Sequence, residues 1–290
     1  MTATMILGLL LQASLFLVVL SFGLQIRVDD LLCLFRRPWQ LLKSLISMFV
    51  VLLIFAIVVD RIFELRGVVE VALIALALSP VPPLLPNKAL KSGGDKSFTF
   101  GLLAAVSLLS IIIMPGVFRV VEAIFGRQGN FSEEVVLKAI LIGVVLPIVV
   151  GMIIRQFAPS SERWAGILGK VGMVILILAC LPILVALSSV IWTIIGNGTI
   201  LAIIAFAVVG IIAGHLLGGP DPRDRTVLAI ATASRHPAIA IAVTSANVGE
   251  ADAKLAAAVV ILYVIASSVV LAVYLRLIAR LRDVNEEKNT

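Results

Sequence analysis

Residues 171–220 contain no Asp, Glu, Lys or Arg. A helix of that length would extend about 75 Å at 1.5 Å per residue, against a bilayer hydrocarbon core of about 30 Å. The stretch is therefore too long for one membrane span and long enough for two. Gly196-Asn197-Gly198 is the turn signal between them. The whole chain has the same character. Of its 290 residues, 61% are apolar and 14% charged, where a soluble domain is nearer half and a quarter. A soluble fold of this size has no interior large enough for that apolar surface. Composition thus excludes a soluble enzyme, a disordered chain and a disulfide scaffold. The long continuous apolar runs also argue against an outer-membrane barrel, whose strands alternate apolar and polar residues.

Nine apolar runs are predicted to span: residues 5–26, 41–59, 68–90, 98–124, 135–154, 165–195, 199–217, 226–248 and 255–278. An odd number places the two ends on opposite sides. Sixteen of the 23 lysines and arginines fall on one face and six on the other, with Arg235 left inside a span. The positive-inside rule puts the richer face in the cytoplasm, so the amino end is expected outside and the carboxyl end inside. The same rule accounts for the net charge of +6 without nucleic acid. No Lys or Arg precedes Arg27, so the first run lacks the charged start of a signal peptide. The expected location is a bacterial inner (plasma) membrane, with the chain multi-pass. Asn130-Phe131-Ser132 and Asn197-Gly198-Thr199 are glycosylation triplets on the outer face, of a kind common by chance. Cys33 and Cys180 have neither metal spacing nor a disulfide framework.

Two runs are interrupted. Ser79-Pro80-Val81-Pro82-Pro83-Leu84-Leu85-Pro86-Asn87-Lys88 holds four prolines in seven residues. Each removes an N–H donor and clashes with the preceding turn. The second interruption, Thr232-Ala233-Ser234-Arg235-His236-Pro237, has one proline, which frees the carbonyl of Ala233. In lipid, such backbone is tolerated only when buried in protein or lining a cavity. Broken helices in the two halves of a chain are the best sequence pointer to a transporter's substrate site; the bland alternative is a pair of structural kinks. Arg235 follows Arg225 by ten residues, about 15 Å of helix, which places it near the midplane, where a charge needs a cavity or a partner. Its alternative is snorkelling to an interface. Lys88 belongs either to the site or to the cytoplasmic interface. His236 could titrate near neutral pH, but the adjacent Arg235 disfavours its protonated form. His215 reads as an interface or packing residue. Ser234 and His236 are near neighbours, yet no membrane-embedded carboxylate orients the imidazole for hydrolysis.

With these residues in hand, the chain resembles the bile acid:sodium symporter family over nearly its whole length. Ser21-Phe22-Gly23-Leu24-Gln25-Ile26 is similar to the family's F-G-M-G-L-T segment, and Phe35-Arg36-Arg37-Pro38 to the loop that follows. Ser79-Pro80 matches the opening of the first broken helix, Gly93-Gly94-Asp95 the next turn, and Met114-Pro115 the proline closing the next helix. The resemblance implies an all-α inverted-repeat transporter fold with a panel and a core domain, and two broken helices crossing in the core. It also implies that the first of ten helices is lacking. The expected organisation is one transmembrane domain over 1–290, with a shortened first repeat at 1–125, a second at 133–281 and a cytoplasmic tail at 282–290.

The departures from the family bear on coupling. Pro83, Leu84, Leu85 and Pro86 stand where the sodium symporters place polar side chains. Ala231, Arg235 and His236 stand at the glutamate, glutamine and Asn or Asp of the second broken helix, and Met48 at a further glutamine. Arginine offers donors only and repels a cation. The resemblance therefore implies transport without the family's sodium ligands, with Arg235, and Lys88 as a candidate second charge, occupying the ion's place. The arsenite carriers of this fold use a cysteine in the first broken helix, where this chain has none. The expected function is secondary transport of a small organic anion across the bilayer. Its candidate substrate-binding residues are Pro82, Pro83, Pro86, Asn87, Lys88, Ser234, Arg235, His236 and Pro237. No catalytic residue, cofactor or metal is expected, and nucleic acid is not an expected partner. A sodium-coupled symporter and a non-transporting scaffold with the same fold are the rival readings.

Overall fold

The computed structural model describes residues 3–125, 133–196 and 198–289. The glycosylation triplet Asn130-Phe131-Ser132, and Asn197 of the other triplet, lie outside the described residues. Every regular element among the described residues is helical. In order, the helices are α1 (Ala3–Gly23), α2 (Val28–Leu32), α3 (Pro38–Leu45), α4 (Leu52–Phe63), α5 (Gly67–Leu78), α6 (Leu85–Lys91) and α7 (Lys96–Phe125). There follow α8 (Glu133–Ile140), α9 (Leu146–Phe157), α10 (Glu162–Ile194), α11 (Thr199–Leu217), α12 (Pro222–Ala233), α13 (Pro237–Asn247) and α14 (Ala253–Asn289). In a bilayer every backbone polar group must be satisfied within its own segment, and apolar runs answer that demand as helices. The last helix continues through the stretch expected to form a tail.

Among the described residues, eight helical stretches are long and apolar enough to cross a membrane. Two of them, Pro38–Phe63 and Glu133–Phe157, contain a π-helical turn, at Ile46–Val51 and Leu141–Val145. The ninth apolar run, 68–90, folds as the two short helices α5 and α6 separated by the proline segment. The second interrupted run likewise divides into α12 and α13.

One group of helices is built on α1, which packs against α9 and α10. Small residues bring these helices together. A Cβ at Gly23 would lie 2.5 Å from the Ile148 carbonyl oxygen, and one at Gly172 2.8 Å from a Val18 methyl. That close approach accompanies the end of α1 at Gly23, short of the expected Ile26. The second group holds both broken helices: α11 packs on α12 and α14, α13 on α5 and α14, and α6 on α12. Gly210, Gly214 and Gly218 form the α11 face against α12, and a Cβ at Gly214 would stand 2.5 Å from Ala229 Cα.

The helix expected to close at Met114-Pro115 instead runs through Pro115 to Phe125. A proline forfeits one intrahelical hydrogen bond, a loss that an apolar membrane helix tolerates when neighbours or a local adjustment satisfy the freed carbonyl. Pro182 inside α10 is the same case.

Candidate functional site

The first break follows directly from the prolines. Helix α5 ends at Leu78, and Ser79 takes an extended conformation. Pro80, Pro82 and Pro83 then keep the chain non-helical until Leu85. Pro86 is compatible with the resumed helix because it sits in the first turn of α6, where its missing N–H is not needed. The end of α5 leaves carbonyls without intrahelical partners. Ser79 satisfies part of that demand: its N–H donates to Ala75 O at 2.9 Å, and its hydroxyl donates to Leu76 O at 2.9 Å.

The second break supplies the rest. Helix α12 ends at Ala233, and Ser234 and His236 are extended. Arg235 is thereby turned off the helix axis towards the end of α5. Its Nε donates to Leu76 O at 2.8 Å and its Nη2 to Ala77 O at 2.7 Å. The guanidinium lies 5.4 Å from the centre of the Phe49 ring, within cation–π range. It is 2% exposed, and its Nη1 has no hydrogen-bond partner. Among the described residues no carboxylate forms an ion pair with it. The charge is met instead by dipoles: the carboxyl ends of α5 and α12 converge here, each carrying about half a negative charge.

The carbonyl of Ala233, freed by Pro237, accepts from the Tyr263 hydroxyl at 2.6 Å. The two breaks are also tied backbone to backbone, with His236 N–H donating to Pro80 O at 3.0 Å. The His236 side chain faces its own helix: Nδ1 accepts, at 3.4 Å, from the N–H of Ile239 in the first turn of α13. The π-helical turn completes the arrangement. It points Ser47 to Thr232, hydroxyl to hydroxyl at 2.9 Å, and sets Phe49 under Arg235. A π-bulge shifts the register of a helix face, and such turns are frequent at functional sites. Met48 and Ala231 are fully buried and apolar.

Beside the crossover lies a cavity of about 100 Å³. Its lining comes from the first break and α6 (Pro82, Leu84, Leu85 and Lys88), from the second break (Ser234, Arg235 and Pro237), and from α14 (Tyr263, Val264, Ser267 and Ser268). Of the nine residues singled out in the sequence, Pro82, Lys88, Ser234, Arg235 and Pro237 are on this wall. Pro83 and Pro86 are buried away from it, Asn87 is half-buried on α6, and His236 caps α13. Lys88 is exposed, and its ammonium forms no ion pair among the described residues.

Sequence reasoning did not single out Ser47, Phe49, Tyr263, Ser267 or Ser268, and it placed Thr232 in the second break without a role. Tyr263 carried the best signal, being one of only two tyrosines in the chain and set in an apolar helix, where a buried hydroxyl needs an acceptor. Phe49 carried none, because an apolar aromatic within an apolar run looks the same whether it faces lipid or a cation.

Eight apolar helices of membrane-spanning length among the described residues, with two broken helices meeting beside a cavity, mark a multi-pass integral membrane protein. The chain belongs to the Sodium Bile acid symporter family, whose model matches residues 12–196. It is similar to the human hepatic sodium/bile acid cotransporter, at 23% identity over 62% of this chain and 51% of that protein. It is also similar to the human P3 protein, at 24% identity over 49% of this chain and 30% of that protein. The matched stretch spans about half the length of the first of these relatives and under a third of the second.

Proposed function

We propose that the protein is a secondary transporter of a small organic anion that works without sodium, with the Arg235 guanidinium standing where the family's ion would sit. The observation that carries this reading is the position of Arg235. It already occupies carbonyls at the carboxyl end of α5, and its charge is met by no carboxylate among the described residues. A sodium ion would compete with the guanidinium for the same oxygens and meet its charge. At a separation of about 5 Å and an effective dielectric of about 20, the repulsion is about 3 kcal/mol, a loss of more than about 100-fold in affinity. Met48 and Ala231 add no oxygen side chain to offset it.

The anion is held by Arg235 at the floor of the cavity, with Lys88 on the α6 wall. Pro82, Leu85 and Pro237 provide the apolar lining. The richer basic face, including Arg36, Lys91 and Arg155, is cytoplasmic, and the amino end of α1 is outside. Purified protein in sodium-free proteoliposomes tests the reading through counterflow of labelled organic anions. Exchange above protein-free liposomes, lost in Arg235→Ala, supports transport through this site; no exchange of any anion, with sodium absent or present, supports a non-transporting scaffold.

A further inference from the structure

We propose that the span formed by α3 and α4 carries, where it meets the basic face, a headgroup site for an anionic phospholipid, read by Lys43 and Trp39. This surface is separate from the cavity at the crossover and independent of the cargo proposed for it. Trp39, Leu42, Ile46, Val50, Ile54 and Val58 are all exposed and recur at three- and four-residue intervals, which puts them on one helix face. From Trp39 to Val58 that face extends about 28 Å, close to the hydrocarbon thickness of about 30 Å. Ser44 and Met48 are buried behind it, so the exposed face is left to acyl chains. A tryptophan at the end of such a face belongs at headgroup level. Lys43 lies on the same face one turn deeper, where a charge must reach back to the interface. Its ammonium stands 5.8 Å from the centre of the Trp39 ring, within cation–π range. The ring attracts the cation without neutralising it. The carboxylates near this end of the molecule are committed elsewhere: Asp29 to Arg36, Asp224 to Arg37, and Asp30 to the Ser97 hydroxyl and the Arg27 N–H. Among the described residues Lys43 forms no ion pair. The counter-charge that fits is the phosphate of a lipid whose chains lie along the exposed face. A zwitterionic headgroup brings its own ammonium to that phosphate; phosphatidylglycerol does not, so the anionic lipid is preferred, by about fivefold for one lysine near the membrane surface. The π-helical turn begins at Ile46, so the headgroup grips the helix that carries Ser47 and Phe49 to the crossover.

The test uses the full chain with Trp164→Phe and Trp192→Phe, which leaves Trp39 as its one tryptophan. The protein is reconstituted in phosphatidylcholine bilayers doped with phosphatidylglycerol or phosphatidylcholine brominated near the glycerol end of the acyl chains. Bromine quenches an indole that it touches, so quenching against mole fraction reads lipid occupancy beside Trp39. Brominated phosphatidylglycerol should quench at about one-fifth of the mole fraction that brominated phosphatidylcholine needs. In Lys43→Gln the two lipids should agree to within about 1.5-fold, with quenching by brominated phosphatidylcholine unchanged, which shows the span still in place. Lys43→Arg should keep the preference. Equal quenching by the two lipids when Lys43 is present overturns the proposal. A preference that survives Lys43→Gln overturns it as well, by assigning the headgroup to another cation such as Arg36. Absence of quenching by either lipid would place Trp39 away from the bilayer and overturn it too.

Discussion

Replacing Arg235 with alanine separates what this residue does for the fold from what it does for transport. Two hydrogen bonds disappear, but their loss is unequal. Leu76 O keeps the Ser79 hydroxyl at 2.9 Å and the Ser79 N–H at 3.1 Å. Ala77 O loses the Nη2 donor at 2.7 Å, with no other donor to it among the described residues outside its own helix. One orphaned buried acceptor costs about 1–3 kcal/mol, and the lost contact with the Phe49 face about 1–2 kcal/mol. Against this, the variant no longer buries a guanidinium without a carboxylate, a desolvation worth several kcal/mol. The expected net change in stability is therefore small, within about 2 kcal/mol, with correct insertion. Transport is different. Removing the charge at the cavity floor forfeits about 3 kcal/mol of attraction for an anion about 5 Å away, so flux should fall at least about 100-fold. The paired assay is thermal unfolding in detergent alongside anion counterflow in proteoliposomes. Near-normal flux would show that Arg235 takes no part in the site. Failure to fold would show that it is a structural plug whose burial is not offset by removing the charge.

Tyr263→Phe removes the donor to Ala233 O and should lower stability by about 1–2 kcal/mol, read as a lower unfolding temperature with insertion unchanged. Gly214→Leu should destabilise by about 1–3 kcal/mol or more, because its Cβ would stand 2.5 Å from Ala229 Cα; normal stability would show that the α11–α12 seam is not tight. At Asp30, burial works against the charged carboxyl, but the Ser97 hydroxyl, the Arg27 N–H and the Lys96 and Arg27 charges hold its pKa below the usual carboxylate range. Its stabilising contribution is thus complete above the ordinary carboxylate pKa and lost as pH falls through the lower folded value; Asp30→Asn should abolish that acid-side loss in unfolding scans. A cysteine at Lys91 should be labelled from the cytoplasmic face and one at Glu64 from the outer face; labelling of both from one side would overturn the proposed orientation.

The spans were legible because lipid makes apolarity along the chain nearly equivalent to helix, and all nine runs correspond to helices or to pairs of half-helices. Both breaks were legible from backbone chemistry: prolines at 80, 82 and 83 cannot continue α5, and Pro237 frees the carbonyl of Ala233. What closes those breaks was not legible. Arg235 reaches Leu76 across 159 positions, and Ser47 meets Thr232 across 185. The π-helical turn that aims Ser47 and Phe49 has no local signature in Ile46–Val51, an apolar run. The apolar run 98–124 gave α7 its continuity through Pro115, and only the resemblance placed a helix end at Met114-Pro115; a single proline only sometimes ends a membrane helix.

Uptake into proteoliposomes with sodium replaced by choline, at constant osmolarity and clamped potential, tests the central claim most directly. If the guanidinium of Arg235 holds the crossover in place of an ion, anion flux is unchanged by the replacement and no labelled sodium accompanies the cargo. Strict dependence on sodium, or sodium entering in fixed ratio with the anion, would contradict that account.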